Sequence, residues 1–293
     1  MGTARSYRSG FATCGAVLVL CGSLGAQSLD FVIVQPGYPG STDEASGFIG
    51  ELSRALAGSG GPRGLKGRYH NQAAAAIESI ETARPRVAIV SLGFYLGQRS
   101  RFRFEPLLES RPLERFYLAA KKGEGSKLDG LKGQSVAGTP LQEMDLVARI
   151  LFGAGSAAAA DVKLWKVEPS AGSSKAIRDT ARGKVKAVLL NEREHRVLGA
   201  YSAGRELEVI HTTEELPTAL VVSLGGEEEK PARAFAEALR RLPEGDEGRK
   251  LVATMGIEGF APIDRERLAK LQERFDGGKP PPEKPPAGKS EVK

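Results

Sequence analysis

The apolar positions of the chain fall into short continuous runs separated by stretches of helical spacing. The run 29–34 (LDFVIV) is bounded by Pro36, Gly37, Pro39 and Gly40, which predicts a buried strand ending in a turn. Residues 41–44 (STDE) have capping-box spacing, and Phe48, Leu52 and Leu56 follow at helical intervals. The loop between this strand and helix therefore sits beyond a strand's carboxyl end, where open α/β sheets bind ligands. An alanine-rich helix over 72–83 leads into a strand, 86–90 (RVAIV), that ends at Ser91 and is followed by Gly93, Phe94 and Tyr95. The same order returns later, with a helix over 174–182, a strand over 184–190 (KVKAVLL) and a polar end at Asn191. Both helices finish in Thr-Ala-Arg, at 82–84 and 180–182, and the recurrence predicts two similar lobes.

Further strands are predicted over 115–120, 134–137, 163–167 (with the single tryptophan, Trp165), 207–212 and 219–224. Helices are predicted over 141–153, 231–242 and 245–255, the last two closing the fold. Strands alternate with helices throughout, so the fold class is α/β, two similar lobes with mainly parallel sheets.

The ends of the chain change the reading of its composition. Arg5 and Arg8 precede an apolar stretch, 11–24, and then Gly25 and Ala26, the order of a secretory signal cleaved after Ala26. That stretch is short against the roughly 20 residues of a membrane span. Both cysteines, Cys14 and Cys21, lie within it, so the mature protein has no disulfide, thiolate metal site or cysteine nucleophile. Leu20, bulky before Cys21, argues against a lipid anchor there. Residues 277–293 (GGKPPPEKPPAGKSEVK) lack the apolar content to fold and read as a disordered tail. Of the net charge of +6, the leader's two arginines supply two and the tail's four lysines and two glutamates another two, leaving +2 on 27–276. A nucleic-acid protein would carry its charge on the folded part, so that class is excluded. The remaining stretch of about 250 residues suffices for a two-lobed core.

Several motif-like stretches resolve without chemistry. Residues 58–64 (GSGGPRG) follow a helix and place Arg63 where a dinucleotide loop needs glycine. Residues 200–204 (AYSAG) lack both the glycine spacing and the strand-to-helix turn of a nucleophile elbow, so no enzyme is expected. His70, His195 and His211 are too far apart for a metal-site spacing, and no cofactor is expected. Glu227, Glu228 and Glu229 read as a solvated loop, and Arg101–Phe104 as a half-buried strand or loop.

Taken in order, these segments resemble the type II periplasmic solute-binding proteins, in the phosphate/phosphite/phosphonate branch. Residues 86–95 (RVAIVSLGFY) look like the branch's strand and tyrosine, and 128–137 (LDGLKGQSVA) like its approach to the second lobe. Residues 183–190 (GKVKAVLL), 215–222 (ELPTALVV) and 245–264 (GDEGRKLVATMGIEGFAPID) are similar to its later motifs. Where the branch carries a Ser-Thr-Ser-Gly stretch that holds the anion, this chain has 137–142 (AGTPLQ), so only Thr139 carries over. Lys186 stands where the branch has an aspartate.

The resemblance implies two lobes joined by a hinge: 27–118 with 214–276 as lobe 1, and 119–213 as lobe 2. It implies a periplasmic monomer that closes on a small anion and serves a membrane permease. A sensor or adaptor on the same fold, uncoupled from transport, is the alternative. The expected ligand contacts, on loops after strands, are Tyr38, Ser41, Thr42, Ser91, Tyr95, Thr139, Ser173 with its neighbour Ser174, and Asn191. Hydroxyls and helix N-termini of this kind can replace an oxyanion's hydration.

Overall fold

The computed structural model describes residues 30–37, 41, 43–124, 131, 133–139, 166–169, 172–224 and 230–277. The leader, the helix expected over 141–153, Trp165, the 227–229 run, the tail beyond Gly277, Tyr38 and Thr42 lie outside them.

Lobe 1 opens with β1 (Asp30–Val34), α1 (Ser46–Gly58), β2 (Lys66–His70), α2 (Ala73–Ala83), β3 (Val87–Ser91), α3 (Leu92–Phe102) and β4 (Glu105–Arg111). Lobe 2 contributes β5 (Tyr117–Lys121), β6 (Ser135–Gly138), β7 (Lys166–Pro169), α4 (Ser173–Ala181), β8 (Ala187–Leu190), α5 (Glu192–Arg196) and β9 (Leu207–Thr212). The chain then returns to lobe 1 for β10 (Ala219–Ser223), α6 (Lys230–Arg241), α7 (Asp246–Thr254), β11 (Gly259–Pro262) and α8 (Arg265–Phe275). The second sheet thus begins at Tyr117, inside the stretch the sequence assigned to lobe 1.

The first sheet has the order β11-β4-β10-β3-β1-β2, and the second β7-β6-β8-β5-β9. In β1, Phe31 and Ile33 enter one core cluster while Val32 and Val34 enter the other. A strand covered on both faces must be apolar at successive positions, which is why 31–34 read as a continuous run. Leu52 of α1, Phe235 of α6 and Leu251 of α7 cover the first face. Ile80 of α2, Leu96 of α3 and Leu271 of α8 cover the second. In lobe 2, Leu118 and Leu189 face one cluster, and Val188 and Leu190 face the other with Ile177 of α4.

Four departures from the sequence reading have physical causes. The sheets are mixed rather than mainly parallel, because β5 and β10, the strands that follow each crossing between lobes, run antiparallel to both neighbours. The edge strand β2 (KGRYH) has no apolar run, since only Tyr69 is buried there. Helix α3 replaces the expected loop after Ser91; its glycines, Gly93 and Gly97, and mixed polarity hide the helical period. Finally, β11 and α8 follow the two helices that were expected to close the fold.

Two glycines give this packing a test. A Cβ on Gly67 would lie 2.3 Å from Phe31 Cζ and 2.7 Å from Ile49 Cγ2, both in the core. A Cβ on Gly50, inside α1, meets nothing within 4 Å. Gly67→Ala is expected to cost about 1–3 kcal/mol through overpacking. Gly50→Ala is expected to stabilise by roughly 0.5–1 kcal/mol by restricting the unfolded chain and favouring helix. Urea titration of both variants checks the opposite signs.

Candidate functional site

The two segments that join the lobes are fastened to each other. The Glu114 N–H donates to Leu216 O at 2.8 Å, and the Leu216 N–H to Glu114 O at 2.8 Å. The Thr213 N–H donates to Phe116 O at 3.0 Å, and Arg115 pairs with Glu215 at 2.9 Å. Ser110, fully buried at the end of β4, accepts at Oγ from the N–H groups of Thr218 and Ala219, each at 3.0 Å. The crossings start and end where the parallel strands of both lobes finish, so those carboxyl ends face one another across the hinge.

Between them lies a cavity of about 130 Å³, lined by Gln35, Ser91, Glu114, Asn191, Arg193 and Thr218, with Ala219 and residues 255–257 as its apolar part. Gln35 follows β1 and Ser91 ends β3 in lobe 1, Asn191 and Arg193 follow β8 of lobe 2, and Glu114 and Thr218 belong to the two crossings. Two larger grooves, of about 630 and 610 Å³, belong to lobe 1 alone.

Ser91 and Asn191 occupy equivalent places. Ser91, only 3% exposed, caps α3: its Oγ accepts from the Phe94 N–H at 3.3 Å. The next N–H, of Leu92, donates to Thr218 O at 3.3 Å. The N-terminal end of α3, with its positive dipole, therefore opens at the cavity. Asn191 caps α5 reciprocally with Glu194: its Oδ1 accepts from the Glu194 N–H at 2.9 Å, and its own N–H donates to Glu194 Oε2 at 3.0 Å.

Helix α5, beside the cavity, carries two carboxylates, Glu192 and Glu194. Besides its bond to Asn191, Glu194 accepts from the Thr139 hydroxyl at the end of β6. Glu192 accepts from the Tyr117 hydroxyl at 2.8 Å, and the Tyr117 ring stacks on His195 with centroids 3.7 Å apart. Burial holds the Glu114 carboxyl above the usual range, and the negative charges of Glu192 and Glu194 add to this, while Arg196 opposes it. Arg193 is the cation in the cavity lining.

Of the residues singled out from sequence, Ser91 and Asn191 meet at this cavity. Thr139 stands beside it, with its proton given to Glu194. Ser173 begins α4 at the same end of the second sheet, with Ser174 exposed next to it, and neither lines the cavity. Ser41 is exposed and caps only the turn ahead of α1, whose own N-cap is Ala45: the Glu44 N–H donates to Ser41 Oγ at 3.2 Å, and the Ser41 N–H to Glu44 Oε2 at 2.7 Å. Tyr38 and Thr42 lie outside the described residues. Tyr95 is carried by α3 into the core, 1% exposed, stacked on Phe104. Its hydroxyl accepts from Gln272 Nε2 at 2.7 Å, and burial raises its pKa. The sequence reading missed Gln35, Glu114, Arg193 and Thr218. Gln35, Arg193 and Thr218 are polar residues within three positions of a buried strand's end, a signal that was available; Glu114 lies in a connection without periodicity. Lys186, in the place of the family's aspartate, pairs with Glu124 away from the cavity.

The placement of Tyr95 makes a clear expectation. Tyr95→Phe should cost about 0.5–1.5 kcal/mol of stability, the loss of one hydrogen bond, while leaving ligand affinity unchanged; denaturant titration and calorimetry measure the two separately.

A family model described as the periplasmic phosphonate substrate-binding protein of ABC transporters matches residues 42–268. No curated protein sequence matches the chain. Among solved structures, a Xanthomonas citri protein bound to ATP superposes with a TM-score of 0.62 at 14% identity, covering 86% of this chain and 97% of that one. PhnD1 of Prochlorococcus marinus in complex with methylphosphonate gives 0.58 at 12%, covering 85% and 97%. A binding component of an ABC phosphonate transporter from Pseudomonas aeruginosa gives 0.57 at 15%, covering 85% and 88%. These likenesses establish the two-lobed periplasmic-binding fold. Among the described residues no helix is long and apolar enough to cross a membrane. With the match spanning both lobes, the chain belongs to the phosphonate-binding family of periplasmic substrate-binding proteins of ABC transporters.

Proposed function

We propose that the protein captures a small oxyanion of the phosphonate or phosphate class in the cleft between its lobes and delivers it to an ABC-type permease. The observation that carries this reading is that Ser91 of lobe 1 and Asn191 of lobe 2 wall one cavity. A ligand touching both lobes stabilises their closed arrangement, and the fastened crossings supply the hinge about which they close. Arg193 and the N-terminal end of α3 provide positive potential, and Ser91 and Thr218 provide hydroxyls, a donor set suited to an oxyanion. At about 130 Å³ the cavity has room for a few heavy atoms, against the 300–1,000 Å³ or so of pockets for drug-sized ligands. The leader 1–26 exports the chain to the periplasm, where the family works.

A thermal-shift screen of the full chain against methylphosphonate, phosphate, phosphite, sulfate and small carboxylates tests this. A ligand at 100 times its dissociation constant adds about 2.7 kcal/mol to stability. Ser91→Ala and Asn191→Ala should each weaken binding by roughly 1–3 kcal/mol, the penalty for leaving a buried polar group unpaired. Arg84→Ala, in one of the lobe 1 grooves, should leave binding unchanged. The reading fails if none of these anions shifts the melting temperature.

A further inference from the structure

The outer edge of lobe 1 carries a groove that the interlobe site does not use. Strand β2 ends the first sheet, hydrogen-bonded to β1 and, among the described residues, to no strand on its other side. Its side chains alternate. Gly67 and Tyr69 face α1, where Tyr69 packs in the core with Ile49 and Leu52, while Lys66 and Arg68 are exposed on the opposite face. The backbone alternates as well: His70 O accepts from the Gln35 N–H at 3.0 Å on the β1 side, so Gly67 turns its N–H and C=O to the outer edge. A groove of about 630 Å³ runs along this edge between β2 and α1. Its α1 wall is made of Ser46, Gly50, Ser53 and Ala57, small residues on one helix face. A Cβ on Gly50 would meet nothing within 4 Å. The charge along the groove is one-sided. Arg54, Lys66 and Arg68 line it against a single acid among the described residues, Asp43, and Arg63 stands beside its end. The side chains of these four cations take part in no hydrogen bond or ion pair with a described residue, unlike Arg101, Arg240 and Arg274, which pair with glutamates.

We propose that this edge receives an acidic, extended segment of a partner protein, which joins the six-stranded sheet as a further strand beyond β2. An exposed sheet edge is a template for such addition. The added backbone pairs with β2 at groups such as those of Gly67. Its inward side chains are short, to fit against Ser46, Gly50 and Ser53, and its outward ones are carboxylates opposite Lys66 and Arg68. Charge selects this occupant over the others. A second copy pairing its own β2 antiparallel, centred on Arg68, would set Arg68 against Arg68 and Lys66 against His70, and like charges directly opposite are destabilising. The tail 277–293 carries four lysines against two glutamates, and the leader's only charges are Arg5 and Arg8, so neither is attracted. A bilayer surface has no backbone to continue the ladder. Because the groove belongs to lobe 1 alone, the partner is held whether or not a small ligand fills the cleft.

Fluorescence anisotropy on the full chain tests this with three labelled peptides: one alternating glutamate with alanine, one with lysine in place of glutamate, and a copy of the first N-methylated at alternate amides. The acidic peptide should bind at least about tenfold more tightly than either of the others. Lys66→Glu combined with Arg68→Glu should weaken it about tenfold or more. Gly50→Leu, which grows into the groove, should block it, while an unchanged or raised melting temperature shows that this variant is folded. Methylphosphonate in the cleft should leave the peptide's affinity unchanged. Equal binding of the N-methylated copy would reduce the groove to a charged surface and overturn strand addition. Failure of the acidic peptide to bind, or full binding by folded Gly50→Leu, overturns the proposal outright. So does attachment of the chain to phosphatidylglycerol vesicles, lost in the Lys66 and Arg68 double variant, when the acidic peptide does not bind; that result would assign the edge to a membrane.

Discussion

Two chain crossings, tied together by the paired backbones of Glu114 and Leu216, decide where everything else in the molecule can be. Each crossing delivers a strand, β5 or β10, into the middle of the other lobe's sheet, antiparallel to both neighbours. Ser110 anchors the return. Its buried hydroxyl satisfies the N–H groups of Thr218 and Ala219, which would otherwise enter the sheet without partners. The same fastening sets the parallel strand ends of one lobe opposite those of the other, so two residues a hundred positions apart, Ser91 and Asn191, share one small cavity.

The chemistry of that cavity follows from which donors and acceptors are already committed. Glu194 takes the Asn191 N–H and the Thr139 hydroxyl, so a residue that closes a helix end also consumes donors on the lobe 2 wall. The rest of the lining lies on lobe 1 and the crossings, with Ser91 at the end of α3, Gln35, and Thr218, whose hydroxyl pairs with that of Ser110 at 3.0 Å, and Arg193 comes from lobe 2. A cation and a carboxylate in the same lining make the site electrically mixed.

Much of the fold was legible because its buried strands are covered on both faces. Residues 31–34, 87–90 and 187–190 are unbroken apolar runs for that reason, and the polar residues that end them, Gln35, Ser91 and Asn191, sit in the site. The edge strand β2 and the helix α3 were not legible, the first because one face is exposed and the second because glycines interrupt its period. Tyr95 misled for the same reason: on a loop it would be free to meet a ligand, whereas one helical turn after Ser91 it points into the core. Glu114 could not be found from pattern, since its importance comes from a pairing with Leu216 that only the folded chain creates.

The central claim is that one small anion is held by both lobes at once, and a crystal structure of the protein grown with methylphosphonate tests it most directly. The account predicts tetrahedral density within hydrogen-bond distance of both Ser91 and Asn191. Density that contacts a single lobe, or that occupies a groove on the outside of lobe 1, would contradict it.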